Sequence, residues 1–383
     1  MAKALEGIRV LDLSRVLAGP WATQMLGDLG AEVIKIEQPG KGDDTRGWGP
    51  PWHGEGDDQL SGYYLSCNRN KQSVAIDIAK PEGQEIIRAL ALKSDVLVEN
   101  FKVGGLAKYE LDYESLKAAN PTLIYCSITG FGQTGPRAHE PGYDFMIQGI
   151  TGMMSVTGDP SNGPQKSGVA YADVMTGLHA VIGILAALYQ RTVSGRGQYI
   201  DLALFDVGVS TLANQALNYL VSGVPPKLMG NAHSNVVPYQ AFATLDGHII
   251  LAIGNDGQFA RFASLVGRSE WANDERFATN SGRIVYRAEL IPDIAYIMAS
   301  RTTAQWVEVL GDGGIPNGPI NQIDQALADP QAVFRGLVTD ADGRPGIASP
   351  LRLSDSERDA GTAPPVLGGD TEAVLARLLG LQL

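Results

Sequence analysis

The sequence predicts an α/β protein: a Rossmann-like large domain on a parallel sheet, joined to a smaller α+β domain. Three observations carry this. Residues 8–37 hold a strand, a helix and a second strand, the length of one βαβ unit. The same alternation recurs to about residue 205. Beyond the break Ser222-Gly223-Val224-Pro225-Pro226, it gives way to a hairpin and a run of helices.

The elements follow from local chemistry. The apolar run at 8–13 reads as a buried strand, and Gly19-Pro20 opens a helix because proline suits its first turn. Gly30 ends that helix, and 33–37 is the next strand. Residues 83–92 and 113–119 read as helices, and 95–99 and 123–128 as strands. Residues 175–189 form a long apolar helix, expected to be buried all round, and 199–204 a further strand. Residues 206–225 read as a linker helix. A small domain at 226–323 begins with a hairpin around Asp246-Gly247 and continues with helices at 258–266, 287–299 and 303–310. The segment 324–383, rich in Gly, Pro and Asp and ending in a helix at 371–379, is expected to return to the large domain at 1–205.

Composition narrows the function classes. A net charge of −12 argues against a nucleic-acid binder, whose affinity needs a basic face. A few local cations can still create a cleft for an anionic small molecule. The longest apolar run, 181–188, is too short to suggest a membrane span, and the first residues lack an apolar signal core, so a cytoplasmic protein is expected. Two cysteines and five scattered histidines offer no metal-ligand spacing, so no metal is expected.

Common motifs are missing where they would matter. The turn after the first strand reads Ser14-Arg15-Val16-Leu17-Ala18-Gly19-Pro20, without the G-x-G-x-x-G of nicotinamide enzymes, so NAD is not expected. There is no phosphate loop and no G-x-S-x-G elbow. Ser167-Gly168-Val169-Ala170-Tyr171-Ala172-Asp173 runs straight into the apolar helix. Asp173 there is either a helix N-cap or a nucleophilic carboxylate. Segments 128–136 and 252–258 are dense in glycine and polar residues after strands, where open α/β sheets bind ligands.

The ordered motifs Leu5-Glu6-Gly7-Ile8-Arg9-Val10-Leu11-Asp12, Ala18-Gly19-Pro20, Asn68-Arg69-Asn70-Lys71, Val98-Glu99-Asn100-Phe101 and Ser194-Gly195-Arg196-Gly197-Gln198 resemble the class III CoA-transferases of the CaiB/BaiF type. Gly42-Asp43-Asp44-Thr45-Arg46, Trp48-Gly49-Pro50-Pro51 and Pro316-Asn317-Gly318-Pro319 are most similar to the succinyl-CoA:glutarate branch, which exchanges CoA among dicarboxylic acids. The resemblance implies acyl-CoA and a carboxylic acid as substrates and an interlocked homodimer. It implies Asp173 as nucleophile, with Tyr143 and a loop containing Gly254, Asn255 and Gly257 beside it. It implies CoA contacts at Val16, Leu17, Ala18, Asn70, Lys71, Asn100, Phe101 and Lys108, with Lys71 on the phosphates. An arginine found after Ile36-Glu37 in some members is Gln38 here, so Lys41 or Arg46 is expected to take its phosphate contact. Arg46, His233, Ser234 and Asn235 are the candidates for reading the acid. The alternatives are an acyl-CoA racemase of the same fold and a non-catalytic acyl-CoA binder. A racemase is disfavoured by tyrosine at 143, because a phenol with a pKa near 10 is a poor base.

Overall fold

The computed structural model describes residues 3–356 and 361–381. They divide into two compact units: Met1–Met153, Lys166–Ser222 and Pro330–Leu383 form the first, Met154–Gln165 and Gly223–Asp329 the second. This differs from the boundaries expected above. Residues 154–165 belong with the second unit because their short β-ribbon (Gly158–Asp159 with Gly163–Pro164) hydrogen-bonds there, through Gly158 O and Gly230 N. The expected linker helix belongs to the first unit and is two helices, broken at Ala213, whose φ is +47°.

The first unit is a six-stranded parallel sheet. In chain order the strands are β1 (Arg9–Asp12), β2 (Glu32–Glu37), β3 (Lys71–Ala75), β4 (Val96–Glu99), β5 (Ile124–Thr129) and β6 (Tyr199–Ala203). Their spatial order is β6-β5-β4-β1-β2-β3. The direction in which successive strands are added therefore reverses between β1 and β4, and ligands bind at the carboxyl ends of strands beside such a switch point. On one face, α1 (Ala18–Asp28) and the long helix Tyr171–Ser194 cover Val10, Val33, Val98, Ile124 and Ile128. On the other, α2 (Pro81–Ala91) and the C-terminal helix Thr371–Leu379 cover Leu11, Ile34, Val74, Leu97 and Tyr125. The near-continuous apolar strands follow from burial on both faces.

Strand β3 was not anticipated, because Lys71-Gln72-Ser73 carries no apolar pattern. Its exposed edge is covered by the C-terminal segment. Asp370 Oδ2 accepts from Ser73 N at 2.8 Å, Thr371 Oγ1 from Ala75 N at 3.0 Å, and Thr362 O from Asn70 N at 3.1 Å.

The helix Tyr171–Ser194 is not buried all round. Tyr189 and Val193 are 75% and 80% exposed, while Ala180, Ile184 and Ala187 face the core. At 24 residues it is long and apolar enough, by length and composition, to cross a bilayer, a test that core helices also pass and that the shorter run read from the sequence did not meet. Gly177 lets it press against α1: a Cβ there would meet Ala18 O at 2.8 Å. That contact brings the start of the long helix close to the turn that follows β1.

The second unit has its own core. Strands β7 (Tyr239–Ala243), β8 (His248–Ala252) and β9 (Asn317–Pro319) form an antiparallel sheet against helices Asp256–Leu265, Arg287–Met298 and Thr303–Asp312. Phe242, Leu251, Phe262, Leu290 and Trp306 fill the space between them.

Candidate active site

The β1–α1 turn lies at the switch point and is tied down residue by residue. Ser14 N donates to Asp12 Oδ1 at 2.9 Å, and Arg15 N donates to Asn100 Oδ1, just after β4, also at 2.9 Å. Val16 N lies 3.2 and 3.3 Å from the two oxygens of Asp43. Val16 has φ +71°, a conformation that β-branched residues rarely adopt.

Asp173 is the third residue of its helix, which starts at Tyr171 and not near Val174. It is therefore no N-cap. The capping work is done by Asp144, the first residue of α3 (Asp144–Ile150). Its Oδ1 accepts from Ala172 N at 2.8 Å and Asp173 N at 3.3 Å, and its Oδ2 accepts from Gln148 Nε2 at 2.8 Å. The segment before Asp144 reaches this position because Gly142 packs on Gly130, after β5; a Cβ on Gly130 would come within 2.6 Å of Gly142 Cα. A helix start normally favours a carboxylate. Here burial, with the charge of Asp144 beside it, outweighs that and raises Asp173 to about 7.

Asp173 opens into a cleft lined by Val16, Leu17, Ala18, Asn100, Phe101 and Tyr143. Seven of the expected site residues, Asp173 included, thus come together. Tyr143 is 66% exposed at the rim. Arg15 and Phe101 also line a second cleft, beside Ile36, Gln38, Asp77 and Ile78 at the ends of β2 and β3. The Arg15 guanidinium lies 5.4 Å from the centre of the Phe101 ring. The two clefts share a wall, so a long ligand can run from Asp173 past Arg15 across the strand ends.

Other expected residues lie elsewhere. Lys71 is no phosphate ligand: its side chain is wholly buried, and Nζ donates to Asp12 Oδ2, Pro20 O and Asn68 Oδ1 at 3.1, 2.9 and 3.0 Å. Asn70 lines neither cleft. It donates to Asp28 Oδ1 and accepts from Thr362 N, fastening the C-terminal segment. Lys108 lies over the Tyr109 ring, 4.5 Å from its centre, and lines neither cleft. Arg46 is consumed by Glu37, Tyr64 and the Pro365 carbonyl. Gly254, Asn255 and Gly257 belong to the second unit, where they form a capped helix start: Asn255 Oδ1 accepts from Gln258 N at 2.9 Å, and Gly254 N donates to Gln258 Oε1 at 2.8 Å. His233, Ser234 and Asn235 form a turn in that same unit, closed by Asn235 N donating to His233 Nδ1.

Two residues escaped the sequence reading. Asp144 follows the quoted Tyr143 but had no role until the helix start was located. The Tyr63 phenol is pushed up to about 12 by burial and by the nearby charge of Asp173, and its ring meets Trp48 edge-on at 5.0 Å. The only sequence signal was the aromatic density of Trp48, Trp52, Tyr63 and Tyr64 among glycines and prolines.

A half-buried carboxylate opposite a rigid turn, at the strand ends beside the switch point and open to a cleft, has the layout of an α/β enzyme with a carboxylate as candidate nucleophile. The pattern of CoA-transferase family III matches residues 5–371, and the chain belongs to that family. It is 48% identical over 381 residues to the succinate–glutarate CoA-transferase of Agrobacterium fabrum, covering 98% of this chain and 95% of that one. The human succinyl-CoA:glutarate CoA-transferase is 42% identical over 98% of this chain and 86% of its own. A CaiB/BaiF family protein from Brucella suis has the same fold, with a TM-score of 0.89, 50% identity, and coverage of 99% of this chain and 100% of that one.

Proposed function

We propose that this enzyme carries CoA from succinyl-CoA to a dicarboxylate such as glutarate, with Asp173 as the covalent carrier. The observation that carries this is the Asp173 carboxylate, fixed in the first turn of a core helix and open to the cleft walled by the β1–α1 turn. The names of the Agrobacterium fabrum and human relatives support the choice of acids.

Asp173 attacks the thioester carbonyl, and the C–S bond breaks to give an aspartyl–succinyl anhydride and CoA thiolate. The thiolate attacks the aspartyl carbonyl, releasing succinate and leaving an aspartyl-CoA thioester. Glutarate attacks that thioester, the thiolate leaves again, and its attack on the glutaryl carbonyl of the new anhydride yields glutaryl-CoA and restores Asp173. Every bond broken is matched by one formed, so the exchange consumes no ATP.

Each carbonyl attack builds an oxyanion, and losing one N–H donor to such a group costs about 10²–10³ in rate. The loop at 254–258 holds this role in the proposal. To serve, Gly254 N must first leave Gln258 Oε1. Tyr143 at the rim is proposed to steady the thioester. Arg15 is the proposed phosphate partner in place of Lys71.

An interlocked homodimer in the cytoplasm completes the reading. Apolar Ile182, Tyr189, Val193, Leu217 and Leu220 stand exposed on the first unit, which fits a surface covered in an assembly. Light scattering on the eluting protein should give twice the chain mass, and a monomer overturns the dimer. Cell fractionation tests the location. For the chemistry, succinyl-CoA followed by hydroxylamine should leave a hydroxamate on the peptide containing position 173. An unmodified peptide at every time point would sink the covalent route. Loss of an α-deuterium from labelled acyl-CoA would point to the racemase.

A further inference from the structure

The β1–α1 turn does without glycine at its most demanding position. Glycine enters the left-handed region freely, whereas valine does not. Something must hold Val16 there, and the only side chain bonded to its N–H among the described residues is Asp43. Asp43 is itself immobilised. Lys35 Nζ donates to its Oδ2 at 2.9 Å, with both side chains wholly buried. Thr45 donates to its Oδ1 from N at 3.0 Å and from Oγ1 at 2.8 Å, and Asp43 N donates to Glu37 Oε1 at 2.9 Å. Lys35 Nζ also donates to Ser14 O at 2.9 Å, so one buried cation grips both the turn and the carboxylate that bends it.

We propose that Asp43 is a positioning residue for the acyl-CoA: by holding Val16 left-handed, it keeps the Val16-Leu17-Ala18 wall facing Asp173 at the distance the thioester requires. The inference rests on the CoA-transfer reading. Burial works against the Asp43 charge, but Lys35 and Thr45 prevail and hold it at about 2, so the grip persists at any pH at which the enzyme works. A residue that only stabilised the fold would lower activity toward both substrates together. A residue that shapes one wall should act on acyl-CoA alone, and its effect should depend on Val16.

The test is a two-by-two set of full-length proteins: wild type, Asp43→Asn, Val16→Gly and the double variant. KM for succinyl-CoA, KM for glutarate and kcat are measured for each, along with Tm. Asp43→Asn should raise the succinyl-CoA KM by about 10–100-fold, the scale of an ångström-level misplacement, and leave the glutarate KM within twofold. Within the Val16→Gly background, where the turn needs no forcing, the same substitution should raise it by only about threefold. An unchanged succinyl-CoA KM in Asp43→Asn overturns the proposal, as does an equal rise in both backgrounds. If Asp43→Asn does not fold, Thr45→Val replaces it, expected to give about a 3–10-fold rise on losing one bond that orients Asp43; no rise overturns the proposal. If wild type fails to transfer CoA, the functional reading has failed instead, and the same ratios are read from the Kd of CoA itself.

Discussion

Two groups of carboxylates in the first unit differ in their company. Under the β1–α1 turn, Asp12, Glu37 and Asp43 sit among Lys35, Lys71 and Arg46. Burial opposes the charge on Asp12, but Lys71 and Lys35 prevail and hold it below its ordinary range. Burial likewise opposes the charge on Glu37, where Arg46 and Lys35 prevail. At the head of the long helix, among the described residues, no cation offsets Asp173, and burial, with Asp144 beside it, drives it the other way, to about 7. Under the turn the compensated charges serve as framework, whereas the carboxylate at the helix head faces the cleft.

Four experiments press on that contrast, from the largest expected effect down. Asp173→Ala should cut transfer by on the order of 10⁴-fold or more, since the reaction loses its covalent carrier. Retained turnover in a CoA-exchange assay would move the chemistry elsewhere. Lys71→Met should destabilise the protein by about 3–5 kcal/mol, because it removes the cation hydrogen-bonded to the buried Asp12 carboxylate. Chemical denaturation reads this, and a stability equal to wild type would mean that the network is not framework.

The third test uses pH. Asp173 must be ionised to attack, so acylation by succinyl-CoA should rise with pH through about 7 and then level. Asp144→Asn removes the neighbouring charge but keeps an oxygen for the helix start, so the midpoint should fall. Rapid-quench acylation rates from pH 5 to 9 would show it; an unmoved midpoint would assign the shift to burial alone.

The smallest effect is on stability. Because folding raises Asp173 above its unfolded value of 3.8, the protonated form is favoured in the fold, and stability from this group is lost as pH rises toward 7. Asp173→Asn should therefore stabilise the protein by about 1–3 kcal/mol at pH 8 and by much less at pH 4. Melting curves at the two pH values that ran parallel would contradict this.

The same contrast explains what the sequence made legible. The βαβ alternation, the hairpin at Asp246-Gly247 and the final helix at 371–379 are local patterns, and each stands where local chemistry puts it. Asp173 was legible as a carboxylate at a helix start. Its distinction from a cap was not, because the capping oxygen comes from Asp144, twenty-nine residues earlier. Lys71 was misread for a related reason. A lysine in a polar run looks solvent-bound until the fold shows that β3 carries it inward onto Asp12. Strand β3 itself has little β-forming character, and its partner Glu32–Glu37 and the cover at 362–371 come from opposite ends of the chain.

That cover has a consequence for how the protein is made. The first unit is built from segments far apart in the sequence, so residues 362–371 must be synthesised before the sheet can be sealed. Until then β3 offers bare N–H and C=O groups to any passing strand. A message truncated before residue 362 would yield a polypeptide holding every candidate catalytic group yet prone to clump. Newly synthesised chains therefore pass through a vulnerable interval that ends only when Asp370 and Thr371 dock.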